Sequence, residues 1–422
     1  MVSVAPIRIH RPGAVSLSAL PPLSLYVHLP WCLKKCPYCD FNSHEKSDTF
    51  NEPRYLDALF ADLESALPQV WGRRVISVFI GGGTPSLFSP ESIERLIAGV
   101  RARLPLEPAC EITLEANPGT FERERFRAFR AAGVTRLSVG VQSFNDEHLA
   151  VIGRVHDSAQ ARAAVAEARE AFDTFNIDLM YALPRQTLAH LQADLDSALA
   201  FAPPHLSIYH LTIEPNTAFA QSPPQHLPDP DLASDMLDLI TAQTEAAGLA
   251  RYEVSAFARS GHRCMHNLNY WQFGDYLGIG AGAHGKLSFP APPGRSQGGG
   301  APLGGRAPRS GELAGSTSCI VRQVRWREPA MYMDKALAGQ PVSNEHSVGG
   351  AELPFEFALN ALRLVEGFEL SRFAERTGQP LTALEPALAR AEQRGLIDRD
   401  ASWVRPSARG FDFLSDLQAL FL

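Results

Sequence analysis

The chain has 422 residues, 45% of them hydrophobic and 20% charged, and its 39 Lys+Arg against 46 Asp+Glu leave a formal charge of -7. That length exceeds what one core usually holds, so a large domain with a smaller companion is expected. No apolar run reaches the roughly 20 residues that span a bilayer, and the opening 22 residues hold only Arg8 and Arg11 as positive charges with no cleavage pattern, which excludes a transmembrane segment and reads as cytoplasmic.

After a tail over residues 1–22, six short runs of β-branched and aliphatic residues predict strands at Leu25–Leu29, Val75–Ile80, Glu111–Glu115, Arg136–Val141, Asn176–Met180 and Leu206–Leu211. Between them, helical periodicity covers Tyr55–Leu67, Pro90–Leu104, Phe121–Ala132, Ser158–Phe172 and Thr187–Ala200. This alternation predicts an α/β fold, a partial (β/α)6 barrel over residues 23–285, with a flat doubly wound sheet as the alternative. A helix at Asp231–Ala247 and a strand-like run at Arg251–Phe257 follow. Residues 286–318 are dominated by Gly, Pro, Ser and Ala and predict a flexible insertion, because they cannot bury enough apolar surface to offset ordering.

A connecting segment over residues 319–353 leads to a last unit, 354–422. Its helices at Pro354–Leu364, Leu370–Thr377 and Thr382–Arg394, with strand-like runs around Ile397 and Val404, have the order of a winged helix. That unit holds 8 Arg, no Lys and 10 Asp+Glu. It lacks a basic face for phosphate, so no nucleic-acid partner is expected, and a cluster-controlled DNA regulator is the disfavoured reading.

The chemistry starts at the cysteines. Cys32, Cys36 and Cys39 fall within eight residues while Cys110, Cys264 and Cys319 are scattered, Cys110 and Cys319 outside any recognisable ligand pattern. In a reducing compartment such clustering favours metal over disulfides. Three thiolates in a C-x3-C-x2-C loop leave one coordination position open, which suits a four-iron cluster whose fourth iron binds a small ligand. A zinc knuckle with His44 as fourth ligand is the alternative. Lys34 and Lys35 would offset the cluster's negative charge. The next strand ends in Gly81-Gly82-Gly83-Thr84-Pro85, the third at Glu115-Ala116-Asn117-Pro118-Gly119, the fourth at Gln142-Ser143, and the fifth carries Asp178. Each alone is a common cap or turn; together they mark the carboxyl ends of strands, where β/α barrels build their sites.

On these motifs, with Tyr26-Val27-His28-Leu29-Pro30-Trp31-Cys32, Val141-Gln142-Ser143-Phe144 and Ile177-Asp178-Leu179-Met180, the sequence resembles the radical S-adenosylmethionine superfamily. Within it, the likeness is to the family holding the oxygen-independent coproporphyrinogen III oxidase and its heme-chaperone relatives. The resemblance implies a [4Fe-4S] cluster on Cys32, Cys36 and Cys39, with S-adenosylmethionine chelating the open iron and cleaved by one electron. It places Tyr26 and Phe41 beside the cofactor, Gly82, Gly83 and Thr84 at its methionyl end, Glu115 at a polar group, and Gln142, Arg154 and Asp178 at its carboxylate and ribose.

Oxidases of that family carry a further cysteine where this chain has Phe41, and a longer N-terminal region. In their place stands His266-Asn267-Leu268-Asn269-Tyr270-Trp271, a pattern of the chaperone branch associated with heme. His266 offers an axial nitrogen, and Tyr270 and Trp271 offer faces for a porphyrin; Cys264 or Tyr270 could equally supply the iron ligand, and a buried core histidine is the plain alternative. The resemblance therefore implies heme and a heme-acceptor protein as partners, with oxidative decarboxylation of coproporphyrinogen III as the competing activity. Cofactor cleavage in the working cycle, a homodimer and peripheral membrane contact stay open.

Overall fold

The structure, a computed structural model, describes residues 15–46, 50–119, 122–290 and 318–422. Its centre is a parallel sheet of β1 (Leu23–Leu29), β2 (Val75–Gly82), β3 (Leu106–Ala116), β4 (Arg136–Gln142), β5 (Thr174–Tyr181) and β6 (His205–His210), adjacent in that order. Beyond β6 the short strands β7 (Ala250–Arg251) and β8 (Ala256–Ala258) pair antiparallel, where one run was expected. On the other flank β9 (Asp275–Ile279) runs parallel to β1, with Leu23 opposite Asp275, and makes a seventh parallel strand. Antiparallel strands β10 (His284–Phe289), β11 (Cys319–Arg325) and β12 (Val342–Ser347) continue from it. The order β12-β11-β10-β9-β1-β2-β3-β4-β5-β6-β8-β7 leaves the sheet curved but not closed, an open barrel.

Side-chain alternation sets the two faces. In β4, Leu137, Val139 and Val141 enter the apolar core beneath the helices, whereas Arg136, Ser138 and Gly140 face the barrel interior. The covering helices start where side chains satisfy their first amides. Asn51 accepts from Arg54 N before Glu52–Val70, Ser89 from Ser92 N before Pro90–Arg103, and Asp157 closes a capping box with Gln160 before Ser158–Ala171. Glu122–Ala132, Leu188–Leu199 and Pro230–Ala246 complete the layer.

Three expected boundaries change. Residues 286–289 belong to β10 and not to the insertion; Lys286 is buried there in an ion pair with Asp275 at 2.9 Å. The rest of that expected insertion, 291–317, lies outside the described residues. The segment expected to connect, 319–353, instead forms β11, the helix Pro329–Leu337 and β12. It is locked to the first helix by a buried pair: Arg325 Nη2 lies 3.2 Å from Asp62 Oδ1, and Tyr332 donates to Asp62 Oδ2 at 2.9 Å. Of the expected tail, Val15 and Leu17 are buried in the C-terminal core, and Ser16 N donates to Gly378 O at 3.0 Å.

The C-terminal unit has the expected winged-helix order. Helices Leu353–Ala361, Leu370–Thr377 and Glu385–Gln393 pack over a small sheet of Phe368–Glu369, Trp403–Pro406 and Ile397–Arg399. Phe357 anchors it edge-on to Phe368 and Phe373, at ring separations of 4.9 and 5.3 Å. Phe273 and the Arg363–Glu253 pair at 3.3 Å join it to the barrel. No helix of the described residues is long and apolar enough to cross a membrane.

Candidate functional site

At the carboxyl end of β1 the chain turns through Pro30 into a two-residue strand, Trp31–Cys32, paired in parallel with His44–Glu45. That pairing clamps both ends of the cysteine loop: His44 N donates to Pro30 O at 2.7 Å and Lys46 N to Cys32 O at 2.8 Å. Inside it, Cys39 N donates to Cys36 O at 3.1 Å. All three loop cysteines are free thiols of intermediate exposure. Cys36 Sγ lies 3.7 Å from Arg154 Nη1 and Cys39 Sγ 3.6 Å from Ser43 Oγ. Burial pushes the Cys32 thiol up, and a hydrogen bond with Thr84 opposes it. Arg154 thus brings a cation to the thiols, and Lys34, expected in that role, lines the same cavity as they do. Lys35, also expected in that role, donates through Nζ to the Phe41 and Ser43 carbonyls at 3.3 Å and ties the loop.

The glycines of β2 let this strand end run against the loop entry. Gly82 has φ +124°, and a Cβ there would fall 2.7 Å from the His28 imidazole, while one at Gly83 would fall 2.6 Å from Trp31 O. Thr84 N donates to Trp31 O at 2.7 Å. Asn117 Nδ2 donates to Thr84 Oγ1 at 2.7 Å, and Arg154 Nη2 donates to Asn117 Oδ1 at 2.6 Å and Gly140 O at 2.7 Å. One polar chain, Thr84–Asn117–Arg154–Cys36, therefore links several strand ends to the thiol loop. Arg154 Nε is buried with no hydrogen-bond partner among the described residues, a donor left over for a bound group. Gln142, after a bulge at the end of β4, takes φ +70°, a backbone strain that clusters at functional sites.

Glu115 Oε2 accepts from Gly82 N at 3.0 Å. Burial, helped by the charge of Asp178, pushes the Glu115 carboxyl up to about 8, against the pull of the Gly82 amide. Asp178 is also raised by burial, but Asn176 Nδ2 at 2.7 Å and Ser138 Oγ at 3.1 Å oppose the shift by donating to it.

These groups surround one cavity of about 800 Å³. Cys32, Cys36, Cys39, Phe41, Gly82, Gly83, Thr84, Glu115, Gln142, Arg154 and Asp178 all line it, with Phe41 61% exposed at its mouth. Tyr26, expected beside them, is set one layer back. Its hydroxyl meets His28 Nδ1 at 2.9 Å, and His28 Nε2 meets Asn42 O at 2.9 Å, so Tyr26 supports the ring beneath Gly82. His28, Asn117 and Ser138 also belong to this site, and of these Asn117, in the strand end Glu115-Ala116-Asn117-Pro118-Gly119, has the clearest sequence signal. His44, the fourth ligand of the zinc alternative, is engaged elsewhere: its Nε2 meets Asn42 Oδ1 at 3.3 Å.

The three expected heme residues do not join this cavity. They sit on the helix Met265–Trp271, which contacts β1, β2 and β9. His266, 8% exposed, lies 3.2 Å through Nδ1 from Ser77 Oγ, with the Phe79 ring 5.0 Å away, and burial pushes it down to about 3. Tyr270 packs 4.8 Å from Tyr276, and Arg363 lies 4.3 Å over the Trp271 ring, toward the C-terminal unit. Asn267 alone of the motif reaches the cavity wall.

Residues 26–198 match the model of the Radical SAM superfamily, and residues 350–413 that of the HemN C-terminal domain. The chain is 43% identical to the heme chaperone HemW of Haemophilus influenzae, covering 96% of this chain and 98% of the relative. It is also 43% identical to HemW of Escherichia coli, over 96% and 99%, respectively. Among solved structures, the coproporphyrinogen III oxidase HemN of Escherichia coli has the same fold, with a TM-score of 0.75 at 24% identity over 95% of this chain and 90% of that one.

Proposed function

Because the chain belongs to the HemW family of radical SAM proteins, we propose that it is a heme chaperone that holds a [4Fe-4S] cluster with S-adenosylmethionine and passes heme to an acceptor protein. The observation that carries the cofactor part is the convergence of three free thiols, a glycine cradle and the unpartnered Arg154 Nε on one cavity. The donor set fits: a cubane takes its thiolates from a short cysteine loop and leaves one iron to a small ligand. When bound, cluster and cofactor supply one-electron chemistry. The chain's own part is binding and charge. Cys32, Cys36 and Cys39 ligate the cluster; Gly82, Gly83 and Thr84 offer backbone and hydroxyl groups to the methionyl end. Arg154, already fixed by Asn117 and Gly140, pairs with a carboxylate. Glu115 holds a proton near neutral pH and can donate, whereas Asp178 accepts from ribose hydroxyls.

Heme is the cargo in this reading, and the working location proposed is the cytoplasm. Contact at His266 requires the helix Met265–Trp271 to give up part of its packing, since His266 is buried against Ser77 and Phe79, whereas Tyr270 and Trp271 are half-buried. An anaerobic hemin titration followed in the Soret band, on wild type and His266→Ala, tests this. Weaker heme binding with unchanged cluster absorbance is expected; equal affinity rejects His266 as a heme contact. The relatives' names support heme as cargo, and Phe41 in place of the oxidases' further cysteine favours carrier over decarboxylase.

A further inference from the structure

The interior of this barrel is polar where β/α barrels usually stack branched aliphatic side chains. Level with Glu115 and Asp178 the cavity is walled by Ser138, Asn176 and Ser207, and Arg136 lines its floor, with Asn267 also on the cavity wall. Strand register places that floor. Arg136 stands opposite Thr113 and Thr174, one pair of residues below the level where Ser138 faces Glu115, or about 7 Å along the strand.

Arg136 is only 3% exposed, and its Nε is buried with no hydrogen-bond partner among the described residues. Its neighbours Cys264, Glu111, Tyr252 and Asp178 act on it through space. The two carboxylates among them are engaged elsewhere. Glu111 Oε1 accepts from His266 N at 3.3 Å and the Cys264 thiol at 3.6 Å, and Asp178 accepts from Ser138 and Asn176. A buried guanidinium without a directly bonded anion is costly to keep, and this one opens on a cavity large enough to admit the missing anion. Arg154, at the opposite end, is already bonded to Cys36, Asn117 and Gly140. Arg136 and Arg154 thus bring guanidinium groups to the cavity at two levels, and Arg125 lines it as a third. Glu115, pushed up to about 8 by burial and by Asp178, adds little repulsion between them near neutral pH.

We propose that the barrel floor is a carboxylate-binding site, separate from the cofactor residues, in which Arg136 holds a carboxylate carried on a short alkyl arm, with the Asn267 amide beside it. Two sources share that chemistry: a propionate of heme, which rests on the heme-cargo reading above, and a free short-chain dicarboxylic acid, which does not.

The test uses the full chain with its cluster reconstituted, and three probes: hemin, hemin dimethyl ester and glutarate, each titrated into wild type, Arg136→Met and Arg136→Lys. A charge-assisted bidentate bond should make wild type bind hemin at least about tenfold more tightly than the ester. Arg136→Met should lower hemin to the ester's affinity, and Arg136→Lys should fall between. If the ligand is a free acid, hemin and ester bind alike while glutarate binds wild type and not Arg136→Met, which equally supports the site. Hemin and ester binding alike with no Arg136-dependent glutarate binding overturns it, as does a hemin preference that survives Arg136→Met. The comparison of hemin with ester needs wild type alone, so it decides the heme arm even if Arg136→Met fails to fold. Wild type that binds no hemin rejects the heme-cargo reading only, since the glutarate arm still decides Arg136.

Discussion

Replacing Glu115 by Gln tests whether the barrel's inner carboxyl carries a proton. Its Oε2 accepts from Gly82 N at 3.0 Å, a bond that the Gln oxygen keeps, so the substitution removes the ionisation and little else. Burial, with the Asp178 charge adding and the Gly82 amide opposing, raises the carboxyl from an ordinary 4.5 to about 8. Between those values the folded chain holds a proton that the unfolded chain has released. Stability contributed by Glu115 is therefore fully present below the lower value and is lost as pH rises to the upper one, at about 1.4 kcal/mol per pH unit. From about pH 6 to about pH 7.5 the loss is about 2 kcal/mol. Most other titrating groups are common to both proteins and cancel. Urea unfolding of wild type and Glu115→Gln at the two pH values, followed by circular dichroism, should show wild type losing about 2 kcal/mol more than the variant. Parallel pH dependences would refute a protonated Glu115.

Three further outcomes are expected. Cys36→Ala should abolish the brown absorbance near about 400 nm after anaerobic reconstitution, because two thiolates cannot hold the cluster; unchanged iron content contradicts the assignment. Gly82→Ala must place a Cβ 2.7 Å from the His28 ring at φ +124°. It should cost about 2–4 kcal/mol in a thermal melt and weaken S-adenosylmethionine in equilibrium dialysis; wild-type affinity would show that the cradle does not receive the cofactor. Asp62→Ala leaves Arg325 buried without its carboxylate, 3.2 Å away in the wild type, and should destabilise by about 3–5 kcal/mol in urea; a neutral effect would mean that β11 is held by other contacts.

The parallel strands β1 to β6 were legible because their outward residues are continuous apolar stripes; Arg136–Val141 was placed within one residue of β4. β9 was missed because Asp275, which reads as a solvent-facing charge, is buried inside the strand against Lys286 and Arg73, each at 2.9 Å. Burial of a charge depends on partners distant in the chain, and no local pattern announces them. The same holds for Asp62 and Arg325, which turn the expected connecting segment into sheet. At the site, strand ends told which residues face the cavity but not their depth. Tyr26 has the right strand and the right face, yet His28 stands between its hydroxyl and Gly82. Lys35 lies between the thiols in sequence, but its ammonium folds back on loop carbonyls, and a residue 118 positions from Cys36, Arg154, supplies the charge. For the helix Met265–Trp271, composition gave aromatics and a histidine but not their directions, which divide between the barrel and the C-terminal unit.

The most direct test of a heme carrier on a radical SAM scaffold is a paired assay on one cluster-loaded preparation with S-adenosylmethionine and a reductant. Hemin is titrated in the Soret band, and coproporphyrinogen III is incubated in parallel for product analysis. A single saturable hemin site with no protoporphyrinogen IX formed is the predicted result. Decarboxylated product without a saturable hemin site would contradict it, and would make the chain an oxidase despite Phe41.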